Sequence, residues 1–371
     1  MKTMKGMIMA WIASVISLGF LLSGFWVGVD PRSSMFMALF SMSFPAWIAA
    51  MVVVSVVAGV LRAKWAMIIL LMSWIIGAYN VCSFSPWNIS QKADDDETTL
   101  KIMTYNVYQF RPADSDSLLD YNPTLNSIIH CGADIVALQE SYSLNAPIRW
   151  LKITQQQCDT IALIYPYSRY VSEGLSLLSK YPFEEIPLDE YPSGSAQFAA
   201  YLVQIPGHDD IALFNVHLQS FRLNDADRKI YRELTDGEMS REVLKEACYD
   251  IIPKVKKALA SHAVEAEMLV RDINSTWEHG PMIVCGDFND VLGSFPVKTL
   301  CRECNLRDAY RDGAFGPTYT YHGSRFYFNI DHILYRGLSR PLYTKRLKVP
   351  SSDHYPLIAE FRLPSDLPSA E

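Results

Sequence analysis

The 371 residues predict a mixed α/β fold behind three membrane-spanning helices, and three observations carry that prediction. Three long uncharged runs stand at the start of the chain. Short, unbroken apolar runs recur from residue 100 onward, and stretches of helical character lie between them. Half of the residues are hydrophobic and 20% are charged, which excludes a disordered, collagenous or disulfide-scaffold chain. The formal net charge of -7 hides a division. Residues 1–85 hold five basic groups, Lys2, Lys5, Arg32, Arg62 and Lys64, against Asp30 alone, so the remainder holds 28 basic and 39 acidic groups, a net of -11. An acidic soluble part weakens any grip on polyanions through bulk charge.

Taken in order, the first uncharged run covers residues 7–29, the second residues 33–61, and the third begins at Trp65 and meets no charge before Lys92. Each exceeds the roughly 20 residues that a helix needs to cross about 30 Å of hydrocarbon, and none shows the polar face of a buried soluble helix. Pro45 falls inside the second run, where a membrane helix tolerates a kink. A cleaved signal peptide over the first 25 residues or so is the alternative; the basic start fits it, but no A-x-A-like site follows. The basic link Arg62-Ala63-Lys64 is expected to stay cytoplasmic, while the acidic residues 94–97 follow the third helix. The bias of basic loops toward the cytoplasm then makes this a multi-pass cell-membrane protein with an extracytoplasmic soluble domain. Residues 1–85 form the membrane domain, 86–98 a polar linker, 99–364 the soluble domain and 365–371 a tail.

Within the soluble domain, strand-like runs are expected at residues 100–107, 134–139, 175–179, 199–205, 211–217, 282–287, 329–335 and 357–363. Several are continuously apolar, as strands buried on both faces are. The clearest helical pattern spans residues 240–273 and is interrupted by Pro253; no internal repeat is detectable. Of the seven cysteines, Cys131, Cys248 and Cys285 read as small core residues, and the pair Cys301 and Cys304, with no second pair or nearby His, reads as neither a zinc site nor a disulfide.

Candidate chemistry collects where strands end. Asn106, Glu140, His217, Asp287 with Asn289, Asp331, and Asp353 with His354 all sit at or beside the ends of six such runs. Exposure of strand ends accounts for any one of them, but less well for a set in which Asp, Asn, Glu and His recur while Lys, Arg and Ser are absent. A carboxylate at Glu140, at the end of an apolar run, is costly to bury without a cation or hydrogen bonds. Hard cations such as Mg2+ take oxygen ligands, and an acid beside His354 is the usual means of moving protons near neutral pH. There is no Gly-rich phosphate loop and no G-x-S-x-G, so neither a P-loop nucleotidase nor an α/β-hydrolase esterase is supported.

These residues stand in seven ordered motifs: Thr104-Tyr105-Asn106-Val107, Ala137-Leu138-Gln139-Glu140, the stretch from Gly174 to Pro182, Asn215-Val216-His217-Leu218, Gly286-Asp287-Phe288-Asn289, Ile330-Asp331-His332-Ile333-Leu334, and Ser352-Asp353-His354-Tyr355-Pro356. In kind and order they resemble the endonuclease/exonuclease/phosphatase superfamily, the DNase-I-like fold, over about residues 99–364. The resemblance implies a four-layer sandwich, two packed mixed sheets between helices, with the active site at one rim. It implies Glu140 as principal metal ligand, with Asn106 and Asp353 near the same Mg2+ or Mn2+. It further implies Asp287 and Asn289 positioning the attacking water, His354 as catalytic histidine held by Asp331, and His217 as the second histidine of the DNase and sphingomyelinase branches. Glu173 stands where that branch has a partner for the second histidine, although a surface glutamate is the plainer reading. Asn329 replaces an arginine found in many members, and the context of Asp331 departs from the inositol-polyphosphate phosphatases, which demotes that activity.

The sequence therefore reads as a membrane-integral, Mg2+- or Mn2+-dependent phosphodiesterase that uses direct water attack. A phospholipid or its headgroup is the first substrate class and extracytoplasmic nucleic acid the alternative; a non-catalytic binding module is the third reading, and no protein partner is indicated.

Overall fold

The computed structural model describes residues 2–94, 97–111, 119–171, 174–189, 196–237, 240–323, 327–349 and 351–363. Glu173 and the expected tail, residues 365–371, lie outside them.

The N-terminal part holds α1 (Lys2–Phe25), α2 (Met35–Met42), α3 (Phe44–Val60) and α4 (Lys64–Phe84). Helices α1 and α4 are each long and apolar enough to cross a membrane; α2 and α3 are so only as a pair bent by 51°. The second helix expected from sequence, with a kink allowed at Pro45, is thus two helices bent at that point. Pro45 lies in the first turn of α3, has no N–H to give, and would press its ring on the carbonyl four residues back, so the α2 ladder cannot run through it. Ser43 occupies the break, its hydroxyl donating to the Phe40 carbonyl at 2.6 Å. The helices pack closely through small residues: a Cβ at Gly19 would lie 2.3 Å from the Trp47 ring.

This bundle rests on the domain that follows. The Gly28 N–H donates to the Gly293 carbonyl at 2.8 Å, Arg32 joins Asp30 to Glu267, and the Arg311 guanidinium lies 4.6 Å from the Tyr79 ring centre. The segment after α4 is also tied down, with the N–H groups of Asn88 and Gln91 donating to the carbonyls of Ala314 and Leu342.

The strands are β1 (Thr99–Asn106), β2 (Ile135–Gln139), β3 (Tyr167–Val171), β4 (Leu175–Ser179), β5 (Phe183–Ile186), β6 (Gln197–Val203), β7 (Ile211–His217), β8 (Met282–Asp287), β9 (Arg307–Asp308), β10 (Asp331–Arg336), β11 (Tyr343–Arg346) and β12 (Leu357–Arg362). They form two sheets, in the orders β11-β12-β1-β2-β4-β3 and β5-β6-β7-β8-β10-β9. Only β1 with β2, and β7 with β8, run parallel. Ile102, Leu177, Ile283 and Ile333 meet between the sheets. On the outer faces, Met103 and Leu138 pack under α5 (Pro123–Ile129) and α6 (Gln155–Ile164). After α7 (Asp225–Thr235) and α8 (Arg241–Glu246) the chain reaches α9 (Ile252–Thr276), which covers Val284 and Leu334 together with α10 (Phe295–Glu303); the short α11 (Ala309–Gly313) closes an end. This is the expected four-layer sandwich of two mixed sheets between helices. Pro253 again marks a helix start, because α9 begins at Ile252 after a π turn over residues 247–251.

Among the cysteines, Cys285 is buried and Cys131 half-buried, but Cys248 is exposed, correcting its reading as a core residue. It lies on the π turn, none of whose residues is buried. Cys301 and Cys304 are free thiols at the end of α10. Burial pushes them up to about 12 and about 11, which keeps both protonated.

Candidate active site

Strand register gathers the polar strand ends on one rim. Asn106 pairs with Gln139 across the parallel β1–β2 step, so Glu140 follows beside it. His217 pairs with Asp287 across β7–β8, and Asp331 opens β10 opposite Asp287. Because Leu357 pairs with Thr104, Asp353 and His354 enter β12 from the same rim. The sheets are tied across the core just below it, where the Gln139 amide donates to Asn215 Oδ1 at 2.7 Å. Gly286 lets β8 come this close: a Cβ there would stand 1.8 Å from the Val216 carbonyl oxygen, and its φ is +152°. Glu140 and Asn289 turn the chain at the rim with φ of +50° and +48°, a left-handed conformation that non-glycine residues hold at a cost and that concentrates at functional sites.

The buried Asp287 carboxylate is the centre of the cluster. Its Oδ2 accepts from Asn106 Nδ2 at 2.9 Å and lies 3.6 Å from His354 Nε2 and 3.9 Å from His217 Nε2, while Oδ1 accepts from the Asn289 N–H at 2.8 Å. His354 Nδ1 faces Asp331 Oδ2 at 2.9 Å. Asp331 is fixed in turn, its N–H donating to Thr320 Oγ1 at 3.1 Å. Burial works to lower the pKa of His354, but the carboxylates of Asp331, Asp287 and Asp353 outweigh it and push the imidazole up to about 10. The Tyr321 ring lies 5.0 Å from that imidazole, edge-on.

Glu140 is the open member of the set. Its Oε1 accepts from Asn106 Nδ2 at 3.2 Å and stands 4.0 Å from His217 Nε2, and its side chain keeps 30% exposure. Asn106 directs its amide N–H groups to the two carboxylates, and its oxygen accepts from the Tyr108 N–H at 3.0 Å. In this arrangement it orients Glu140 and Asp287. Asn289 also donates its amide, to the Leu218 carbonyl at 2.9 Å.

A divalent cation fits these donors. Asp353 Oδ1 is buried with no hydrogen-bond partner among the described residues, and burial, with Glu140 and Asp287 adding to it against His354, raises its pKa. A cation beside such an orphaned carboxylate would favour its charged form. The ligand atoms of Asp287, Asp331 and His354 lie within 4.8 Å of one another, a second arrangement that geometry permits. In that trio Asp331 and His354 pair with each other and Asp287 accepts from Asn106 and Asn289, whereas Asp353 Oδ1 has no partner among the described residues and Glu140 accepts one long bond, from Asn106 at 3.2 Å, so the latter pair is the better seat.

Sequence reasoning missed the rest of the cavity. A space of about 380 Å³ opens over Glu140, Asp287, Asn289, Asp353 and His354, and its far wall is apolar, with Met42, Phe221, Leu223, Val255 and Phe328. Arg222 and Arg228 are its basic residues. Both follow His217 in a stretch without strand or motif character, and only their charge in an acidic domain could have singled them out.

Residues 103–354 match the sequence model of the Endonuclease/Exonuclease/phosphatase family. No curated protein matches the chain. Similar solved structures include an endonuclease/exonuclease/phosphatase from Bacteroides vulgatus at 18% identity, with a TM-score of 0.46, over 72% of this chain and 100% of that one. A family protein from Bacteroides thetaiotaomicron is 14% identical over 73% and 100%, with a TM-score of 0.44. An endonuclease/exonuclease/phosphatase from Beutenbergia cavernae DSM 12333 is 17% identical over 71% and 72%, with a TM-score of 0.46.

Proposed function

The chain belongs to the Endonuclease/Exonuclease/phosphatase family, and from that premise we propose a membrane-anchored phosphodiesterase that hydrolyses a lipid phosphoester by direct attack of water. The observation that carries the reading is the Asp287 carboxylate held between Asn106 and two imidazoles, with two further carboxylates beside it. Asp287 orients the water and takes its proton, and Asn289 shapes the turn that faces it. The water oxygen forms a bond to phosphorus as the bond to the leaving oxygen breaks. His354, held through Nδ1 by Asp331, donates the proton that the leaving oxygen needs, and His217 stabilises the negative charge that develops on phosphorus oxygens. Glu140 and Asp353 would hold a Mg2+ or Mn2+ ion, which when bound neutralises phosphate charge. No Ser, Cys or His nucleophile with its own base is needed.

Two features favour a lipid over nucleic acid. The soluble part carries a net charge of -11, and the wall facing the catalytic set is apolar. The basic residues Lys2, Lys5, Arg62 and Lys64 lie at the helix ends away from the catalytic domain, which supports an extracytoplasmic catalytic domain. The full chain in detergent micelles, assayed on bis-p-nitrophenyl phosphate, plasmid DNA and a phospholipid with Mg2+, Mn2+ or EDTA, tests the proposal. Metal-dependent release from the diester and the lipid is expected; activity on DNA alone would replace the lipid with a nucleic acid.

A further inference from the structure

The cavity over the catalytic residues does not end at its apolar wall. A second cavity of about 290 Å³ lies where the helical bundle meets the catalytic domain, bounded by Val27 after α1, the α2–α3 break from Ser41 to Ala46, the end of α4 at Asn80, Ser83 and Phe84, and residues 291–293 and 327–329. Met42, Val291 and Phe328 line both cavities. We infer that the two form one passage, and that the hydrocarbon chain of a membrane lipid phosphoester lies in it while the phosphate rests on the catalytic rim. The inference rests on the phosphoesterase reading above.

Three observations commit the passage to a hydrocarbon chain. First, it is lined by residues at or beside the ends of α1, α2 and α4, so an occupant drawn from a membrane around those helices would meet it where they end. Second, the polar groups at the break are turned inward on the helix. Ser41 and Ser43 donate to the carbonyls of Ala38 and Phe40 at 2.7 and 2.6 Å, and Trp47 Nε1 donates back to Ser43 Oγ at 3.0 Å, which leaves Met42 and Phe44 to face the cavity. Asn80 and Ser83 likewise donate to the carbonyls of Gly24 and Tyr79, so a sugar or base there would lose its hydrogen bonds to water and find Lys298, Thr318 and Asn329 in return. Third, two basic residues, Arg222 and Arg228, line the catalytic end, where the phosphate would rest, against Lys298 alone in the second cavity. The helix break thus has a use. Met42, the last residue of α2, stands at the 51° bend and lines both cavities.

The test uses the full chain in nanodiscs and a series of p-nitrophenyl alkyl phosphates from methyl to octyl, kept below their micelle concentrations. The passage predicts that kcat/KM rises with chain length, by up to about fourfold for each methylene removed from water. It also predicts that Met42→Trp and Val291→Trp lower the ratio of the octyl to the methyl rate at least tenfold. The ratio is unaffected by any fraction of variant that fails to fold. A flat series in the unaltered protein overturns the passage while leaving the phosphoesterase reading in place. A ratio that neither variant changes overturns it as well, and a series in which no ester is cleaved with Mg2+ or Mn2+ overturns both.

Discussion

Neutralising Asp331 is the most informative single perturbation of the site. Asp331 Oδ2 is 2.9 Å from His354 Nδ1, both groups are buried, and the imidazole is raised from 6.5 to about 10 against the opposing effect of burial. That displacement corresponds to about 5 kcal/mol in favour of the protonated ring, shared by Asp331, Asp287 and Asp353, so the loss of one carboxylate removes roughly 2–4 kcal/mol. Asp331→Asn should therefore lower kcat about 30-fold to 10³-fold, and His354→Ala about as much or more, near the span of general acid–base groups. Because Asp331 acts only through His354, the double variant should be little worse than His354→Ala alone. The assay is kcat on bis-p-nitrophenyl phosphate for the three purified variants, with a melting curve of each. Multiplicative losses would refute the paired assignment even if both residues were essential. Lowered melting temperatures with near-normal turnover would make the pair a packing feature.

Glu140→Gln removes a full charge without changing shape, and activity should fall about 10²-fold or more and recover only in part with excess Mg2+ or Mn2+. Full activity of that variant after EDTA treatment would remove the metal from the reaction. Gly286→Ala puts a methyl group 1.8 Å from the Val216 carbonyl oxygen, so it should destabilise the fold by at least about 3 kcal/mol in a denaturant titration; an unchanged midpoint would contradict the strand contact. His262 offers both ring nitrogens to acceptors, Asp290 Oδ2 at 3.2 Å and the Gln219 carbonyl at 2.5 Å, and although burial opposes it, Asp290 raises its pKa. Its stabilisation is complete below the unfolded value of about 6.5 and is lost as pH rises through the higher folded value. The melting-temperature gap between the unaltered protein and His262→Gln should thus narrow above pH 6.5, and a gap that widened would reverse the assignment. A phosphatase reporter fused after residue 92 should be active outside the cytoplasm and one at Ala63 inactive; the opposite pattern would place the catalytic domain in the cytosol.

Eight strands were legible from apolar runs, and they are the eight interior strands of the two sheets. Those not anticipated, β3, β5, β9 and β11, are the four edges. An interior strand is covered on both faces and paired on both sides, so β2, β4 and β8 are buried at every position and read as unbroken apolar runs. An edge strand needs neither, and β3 (Tyr-Ser-Arg-Tyr-Val) and β11 (Tyr-Thr-Lys-Arg) carry the charged side chains that keep a free edge from pairing with another chain. The middle apolar segment and its proline were legible too, but not the size of the bend there. Hydropathy records that residues 33–61 are apolar, but the break depends on a single missing N–H at Pro45, which changes hydropathy very little.

The same distinction separates what could be read of the site from what could not. Asn106, Glu140, His217, Asp287, Asp331 and His354 announce themselves because a polar residue ending an apolar run is conspicuous, and strand register then brings such ends together without further information. Asp353 and Asn289 travel with them in the same turns. The opposite wall has no such signal: Phe221, Leu223 and Val255 come from a loop and a helix, and Met42 from a different part of the chain altogether. Apolar residues in a helix are expected in any core, so nothing local marks these as facing a catalytic cavity. The candidate site was therefore legible at the strand ends, whereas the wall of the cavity opposite it depends on how the bundle docks on the sandwich. The contacts that set that docking, Gly28 on Gly293, Arg32 on Glu267 and Arg311 on Tyr79, join residues more than 200 positions apart. No reading of local pattern reaches across such a separation, which is why the site and the opposite wall became visible at different stages.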